Sequence, residues 1–437
     1  LKAFKNISFL WASSISGGGL VFIAQILFAR LLTPFDFGIL STSLVSVTML
    51  SPIAGFGIGP FWLKVFGLEG WQGKRWLIPS LQFVCISSLM AVIILYFYSR
   101  TDTYSGKNSI ILWLLPLIFA FVIIELVTAR LQLEERYTAL SLWQMIPQAG
   151  RLVVALAAIF FSGELYLIGA GFFILALVII FIGLPFIIGM VNSNMVLAGH
   201  DRSLAESVIV SPTIPDVFHE AWPFAIAGFS FLIYFQSDLI LLRWMRGAEA
   251  AGQYNAAYTI MVAVYMLPSV VYQKYLLPKQ HRWAEHDRER FITVYRFGCG
   301  VMLITGLIVM AVLLASSLWA VPLVFGNAYF IAGRILLLLS ICVPVHFLAT
   351  SVGGTLVTQN HMRHKVRYMG IAAVVNIILN ILLIPVFSYY GAAAATVVSE
   401  TLILAIYLVA VKKRVFGADA WRGWTLRFRP FHHEDEK

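Results

Sequence analysis

The stretch NIILNILLIPVFSYYGAAAATVVSE, residues 376–400, decides how this chain is read. Two apolar runs flank a break at Ser388–Gly391, and the polar residues within them keep helical spacing. Asn376 and Asn380 are four apart, as are Thr396 and Glu400, so each pair occupies one helix face. In hydrocarbon such groups are costly unless they face a partner, a cavity or an ion. The stretch predicts part of a transport core embedded in a membrane.

The rest of the chain agrees with that setting. Of 437 residues, 60% are hydrophobic and only 12% are charged, and the mean hydropathy is +0.86. Soluble domains carry roughly 25% charged residues, so a water-soluble globule is excluded. Apolar runs of about 20 residues recur from end to end, each long enough to span a bilayer. A transmembrane barrel would instead show alternating segments of about ten residues. The expected fold is an all-α polytopic membrane protein with about twelve spans, near 7–31, 38–66, 76–99, 109–133, 138–161, 165–190, 218–245, 251–277, 291–320, 330–357, 366–388 and 391–412. The first run shows no small-residue cleavage pattern, so it is expected to be a span and not a removed signal peptide.

The net charge of +10 raises nucleic-acid binding, but its distribution argues against that partner. Lys and Arg gather in alternate loops, which is a signature of topology. Placing both termini in the cytoplasm puts roughly 23 of the bases on that side and about six on the other. The longest connection, 191–217, contains Pro212 and Pro215 and reads as a cytoplasmic linker. It divides the chain into an N-terminal lobe (1–190), a C-terminal lobe (218–413) and a basic tail (414–437). The halves echo one another. LVT at 126–128 recurs at 356–358, and Arg136-Tyr137 recurs at Arg367-Tyr368. Arg30, Gly38 and Pro52 are paralleled in order by Arg243, Gly252 and Pro268. This supports two pseudo-symmetric six-helix lobes around a central cavity.

Enzymatic chemistry finds no foothold. The sequence holds no P-loop, nucleophile elbow or HExxH, and no connection exceeds about 30 residues, too short to house a catalytic domain. Cys85, Cys299 and Cys342 all lie in apolar runs without a ligand cluster, so neither a disulfide framework nor a zinc site is expected. The histidines fall mainly in loops and the tail, and no cofactor is expected.

The embedded polar groups carry more information. Arg151 lies about 13 residues into the fifth span, roughly 20 Å along a helix. Gln144, Gln148 and Arg151 form one stripe, and Glu125, Thr128 and Gln132 form another on the preceding span. The two stripes could face each other, with Glu125 partly neutralising Arg151. Two readings stand side by side: a structural buried pair, or a cationic lumen site for an anionic headgroup, which the planar guanidinium would bind bidentately. Arg30, Lys64, Arg130, Lys274 and Arg296 near span ends are interfacial anchors individually and a positive field collectively. Asp238, Asn376, Asn380 and Thr396 offer oxygen ligands only, which suits a hard monovalent cation or a proton on Asp238. The alternative is an Asp238 satisfied by helix termini or Arg243.

ARLLTPFDFGIL at 29–40, DLILLRWMRGAEAAGQYNAAY at 238–258 and NIILNILLIPVFSYYGAAAAT at 376–396 resemble lipid-linked polysaccharide flippases, the O-antigen and exopolysaccharide translocases. These belong to the multidrug/oligosaccharidyl-lipid/polysaccharide exporter superfamily. The resemblance implies a flippase for undecaprenyl-diphosphate-linked oligosaccharide in the bacterial inner membrane, with alternating access driven by a Na+ or H+ gradient. It implies a polyprenyl-diphosphate-linked glycan and membrane lipid as partners, with polysaccharide polymerase or chain-length machinery downstream. By position it also implies a sodium site at Asp238, Asn376, Asn380 and Thr396. The usual acid at the second eleventh-helix position is Asn380 here, and Glu400 adds a carboxylate one turn beyond Thr396. The rivals are a multidrug/cation antiporter of the same architecture and a membrane-embedded glycan polymerase or ligase.

Overall fold

The computed structural model describes residues 2–101, 110–160, 163–197, 211–269, 280, 283, 287–356, 362–417, 420 and 424, with side chains from residue 12 onward. Among them the chain is helical throughout, without strands. Nine stretches are long and apolar enough to cross a membrane, and a bent helix pair makes a tenth. One of the nine, Pro34–Arg100, contains two of the expected spans joined by a 3-10 turn at Gly70–Trp76. The expected span 251–277 is described only as far as Ser269. The protein is therefore an all-α polytopic membrane protein.

The chain forms two compact units. The first is Leu1–Ala256 with Val324–Tyr329, and the second is Ala257–Leu323 with Phe330–Lys437. This division does not fall at the 191–217 linker, where the sequence suggested the lobes would part. The reason lies inside the first unit. Helix α9 (Ile214–Arg246) packs on α2 (Pro34–Gly55), α3 (Ile58–Glu69) and α4 (Leu77–Thr101). The start of α10 (Ala248–Ser269) crosses α2 where Gly38 meets Gly252. A Cβ at Gly38 would fall inside the Ala248 carbonyl, and one at Gly252 inside the Pro34 carbonyl. Only glycine permits that backbone approach. Asn255 Nδ2 donates to Ser41 Oγ at 2.9 Å beside the crossing, and Tyr329 Oη donates to the Leu32 carbonyl at 3.3 Å.

The remaining helices of this unit form a bundle. Helix α1 (Lys2–Leu31) lies along α7 (Tyr137–Phe160), with Gly17 against Gln148. α5 (Ile110–Leu114) and α6 (Pro116–Leu133) pack on α8 (Leu165–Val191). The expected span 38–66 is broken. Phe56 (φ 50) and Gly57 (φ 66) are both left-handed between α2 and α3, and Pro52 one turn earlier already weakens the helix.

In the second unit, α11 (Arg288–Phe325) contributes its residues up to Leu323. The expected span 330–357 is broken between α12 (Phe330–Leu339) and α13 (Cys342–Thr355), where the axis bends by 49°. Pro344 lacks the N–H that would have bonded the Ser340 carbonyl, and the Val343 N–H takes that carbonyl instead at 3.0 Å. Helix α14 (Met362–Phe387) turns back into α15 (Tyr389–Val411) through Ser388 alone, at φ 53. The hairpin break read at Ser388–Gly391 is thus a one-residue turn.

The Gly38–Gly252 crossing makes a direct prediction. In a protein whose native cysteines are replaced by alanine, Ser41→Cys with Asn255→Cys should cross-link under mild oxidation. Complete absence of the cross-link in membranes would contradict the crossing.

Candidate functional site

Among the described residues, three carboxylates lie deep in membrane-spanning helices, and each is met by a protein donor. Glu125 of α6 accepts the Gly59 backbone N–H at 3.1 Å, and its other oxygen lies against Gly55. It therefore sits at the first turn of α3, where the unpaired amides and the helix dipole favour an anion. The sequence allowed a Glu125–Arg151 pairing; the structure does not form it. Glu125 turns toward the α2–α3 break, whereas its neighbours Phe121 and Ile124 line a different space, together with Arg151.

That space is an apolar crevice between α6, α7 and α8. Leu117, Ala120, Pro147, Phe172, Leu175 and Ile179 complete its walls, and its free volume is about 10 Å³. A diphosphate does not fit there. Arg151 has no acidic partner among the described residues, and Pro147 lies one turn before it within α7. It remains a cation in an apolar setting, but the crevice is not a headgroup site as it stands.

The other expected headgroup residues are dispersed. Arg130 is 7% exposed. Its guanidinium donates to Glu134 at 2.8 Å, to the Asn194 carbonyl at 2.7 Å and to the Phe186 carbonyl. It clamps the end of α6 to the end of α8. Lys64 pairs with Glu220 at 2.7 Å, joining α3 to α9, both side chains near half exposure. Arg30 donates to the Val324 carbonyl at 2.7 Å. Lys274 lies outside the described residues. No single basic pocket gathers these groups among the described residues. The first unit does hold an apolar cavity of about 520 Å³, lined by Ile53 and Phe56 of α2 and its break and by Phe218, Trp222, Ile226 and Phe229 of α9.

Asp238, 4% exposed, accepts the Tyr254 hydroxyl at 3.0 Å across α9 and α10. The sequence offered Arg243 or helix termini as its satisfier and missed Tyr254, sixteen residues on, which the turn at Gly247 brings back. Arg243 itself donates to the Ile39 carbonyl at 3.2 Å and to Thr42 Oγ1.

Asn376, Asn380, Thr396 and Glu400 belong to the second unit, Asp238 to the first. Asn380 Nδ2 donates to the Asn376 carbonyl at 2.9 Å and to its Oδ1 at 3.0 Å. Thr396 Oγ1 donates to the Ala392 carbonyl at 3.0 Å. Glu400 leaves this group. Both its oxygens lie 3.2 Å from His346 Nδ1 of α13. The sequence placed the histidines mainly in loops and the tail; His346 lies instead within a spanning helix pair. Its signal was there to find, since one His in the apolar run 342–355 has the same cost in lipid as the acids. Among the described residues no group of three or more His, Cys, Asp or Glu could hold a metal ion.

Broken spans and acids fastened to protein donors characterise this all-helical polytopic membrane protein. The chain belongs to the polysaccharide biosynthesis protein family, whose model matches residues 3–279. No curated protein matches it. Its fold is shared by many solved structures, three of which follow. The lipid II flippase MurJ in an inward closed conformation is 13% identical, with 92% of this chain and 87% of that one covered and a TM-score of 0.66. An inward-facing multidrug resistance MATE family transporter of the MOP superfamily is 12% identical, with 91% and 94% covered and a TM-score of 0.66. A MOP superfamily transporter from Pyrococcus furiosus, described by a binding pocket of reverse polarity, is 13% identical, with 94% and 95% covered and a TM-score of 0.56.

The α2–α3 break supplies a stability test. Glu125→Leu leaves the Gly59 N–H without its acceptor and should destabilise the protein by about 1–3 kcal/mol, read as a lower melting temperature in detergent. Glu125→Gln retains an acceptor and should lose less. Equal melting of the Glu125→Leu variant and wild-type protein would remove this role.

Proposed function

We propose that this protein is a flippase that moves undecaprenyl-diphosphate-linked oligosaccharide from the cytoplasmic to the periplasmic leaflet of the bacterial inner membrane. Its product feeds O-antigen, capsule or exopolysaccharide synthesis, and a Na+ or H+ gradient drives it. Both termini face the cytoplasm, as the distribution of Lys and Arg favours. The family description and the helical transporter fold support transport of a glycan precursor.

The observation that carries the reading is the sign of the uncommitted charge. Glu125, Asp238 and Glu400 are each engaged by a protein donor, whereas Arg151 has no acid beside it among the described residues. An electropositive interior favours an anionic cargo and disfavours a cationic drug. In this reading the diphosphate meets Arg151 and Arg30 when α7 bends at Pro147 during the cycle. The antiporter alternative needs uncommitted carboxylates toward its cargo. The polymerase or ligase alternative needs a catalytic cluster in an extramembrane loop.

Two measurements separate these readings. Arg151→Ala should abolish surface polysaccharide while the protein stays in the membrane at normal level; normal glycan display would exclude Arg151 from headgroup binding. In liposomes the protein should carry undecaprenyl-diphosphate disaccharide across the bilayer and leave ethidium where it is. Ethidium export without lipid movement would assign the antiporter.

A further inference from the structure

The His346–Glu400 contact stands apart from any headgroup site and from the oxygen ligands that the sequence grouped with Glu400. Glu400 is eleven residues from either end of α15, Tyr389–Val411, about 16 Å at 1.5 Å per residue. It therefore lies at the middle of its span. Its side chain is 5% exposed and that of His346 16%. The Tyr265 ring of α10 lies flat on the imidazole, with centroids 3.7 Å apart and an interplanar angle of 14°. His346 follows the bend between α12 and α13 by one turn, and Thr350 Oγ1 bonds its carbonyl at 2.9 Å. α11 backs the same turn, with Gly306 against Pro344.

The other titratable groups around the pair are few. On α15, Tyr407 lies two turns from Glu400 and packs on Gly353 of α13. On α14, Lys365 lies over the Tyr407 ring at 6.0 Å. On α11, Cys299 is 3.4 Å from Ser351 of α13, with Arg296 one turn before it. On α12, Arg334 sits over its own Phe330 ring at 5.0 Å. No second carboxylate faces the imidazole among the described residues.

We infer that the His346–Glu400 pair is a proton-binding site that couples a proton gradient to the transport cycle, a role that rests on the transporter reading above. With Glu400 ionised, Nδ1–H of a neutral imidazole donates to the carboxylate, which leaves Nε2 as the base. One proton arriving at Nε2 makes the imidazolium, and the pair passes from a net charge of −1 to zero. A neutral pair is far cheaper to hold in the middle of a bilayer than an anion. The stacked Tyr265 face further favours the cationic ring. Binding or release of that proton thus changes the cost of burying the junction of α10, α13 and α15, next to a bent span. A difference of this kind between two states is what a gradient needs in order to bias them.

Two variants and one spectroscopic reading test this. In full-length protein labelled with [15N]histidine, the His346 signal is assigned by its loss in His346→Gln. On acidification it should show both nitrogens protonated, and in Glu400→Gln it should stay neutral over the same pH range. In liposomes carrying undecaprenyl-diphosphate disaccharide, both variants should lose the stimulation given by a proton gradient and keep passive exchange of the lipid. Intact gradient stimulation in either variant, or an imidazole that titrates identically without Glu400, overturns the proposal. If wild-type protein moves no lipid at all, the flippase reading fails, while the histidine spectrum still decides whether the pair binds a proton.

Discussion

The constraint on which this protein depends is that a bilayer offers no water to a buried charge, so each embedded carboxylate must find a donor within the protein. Glu125 finds it in the opened backbone after the Phe56–Gly57 break, Asp238 in the Tyr254 hydroxyl, and Glu400 in His346. Each solution ties two or more helices together. The break in the second span and the bend between α12 and α13 are therefore not defects in otherwise regular helices. One exposes amides that hold an acid, and the other sets the turn on which the imidazole stands.

Three of the basic residues follow a different logic. Arg130 is wholly consumed by Glu134 and two carbonyls, Lys64 by Glu220, and Arg30 takes the Val324 carbonyl. They fasten helix ends. Arg151 differs from these three, a cation walled by apolar side chains with a kinking proline one turn away. An arginine in that position is stable only while its aliphatic stem is packed and its head can reach polar company. The functional reading gives that company to a phosphorylated cargo.

Hydropathy alone made the architecture legible, because length and apolarity are properties of one segment at a time. Span limits such as 165–190 fall within a residue or two of the helix Leu165–Val191. The site was legible only as a set of expensive residues. Helical spacing told which face Glu125 or Glu400 occupies, but not which helix opposes that face. The Glu125–Arg151 pairing failed for this reason, since a backbone amide exposed by two left-handed residues leaves no signature in residue spacing. His346 has Thr350 four residues on, so its face could be read from spacing, but not that Glu400 of another helix opposes it. The sequence read Gly38 and Gly252 as matching places in two halves, and the close crossing they make was not legible there.

The proposed function rests on an anionic cargo, since Glu125, Asp238 and Glu400 each already meet a protein donor. Native mass spectrometry of the purified protein with equal amounts of undecaprenyl diphosphate and undecaprenol tests it most directly. Selective retention of the diphosphate lipid is the expected result. Equal retention of the uncharged alcohol, or displacement of both lipids by a cationic dye, would contradict it.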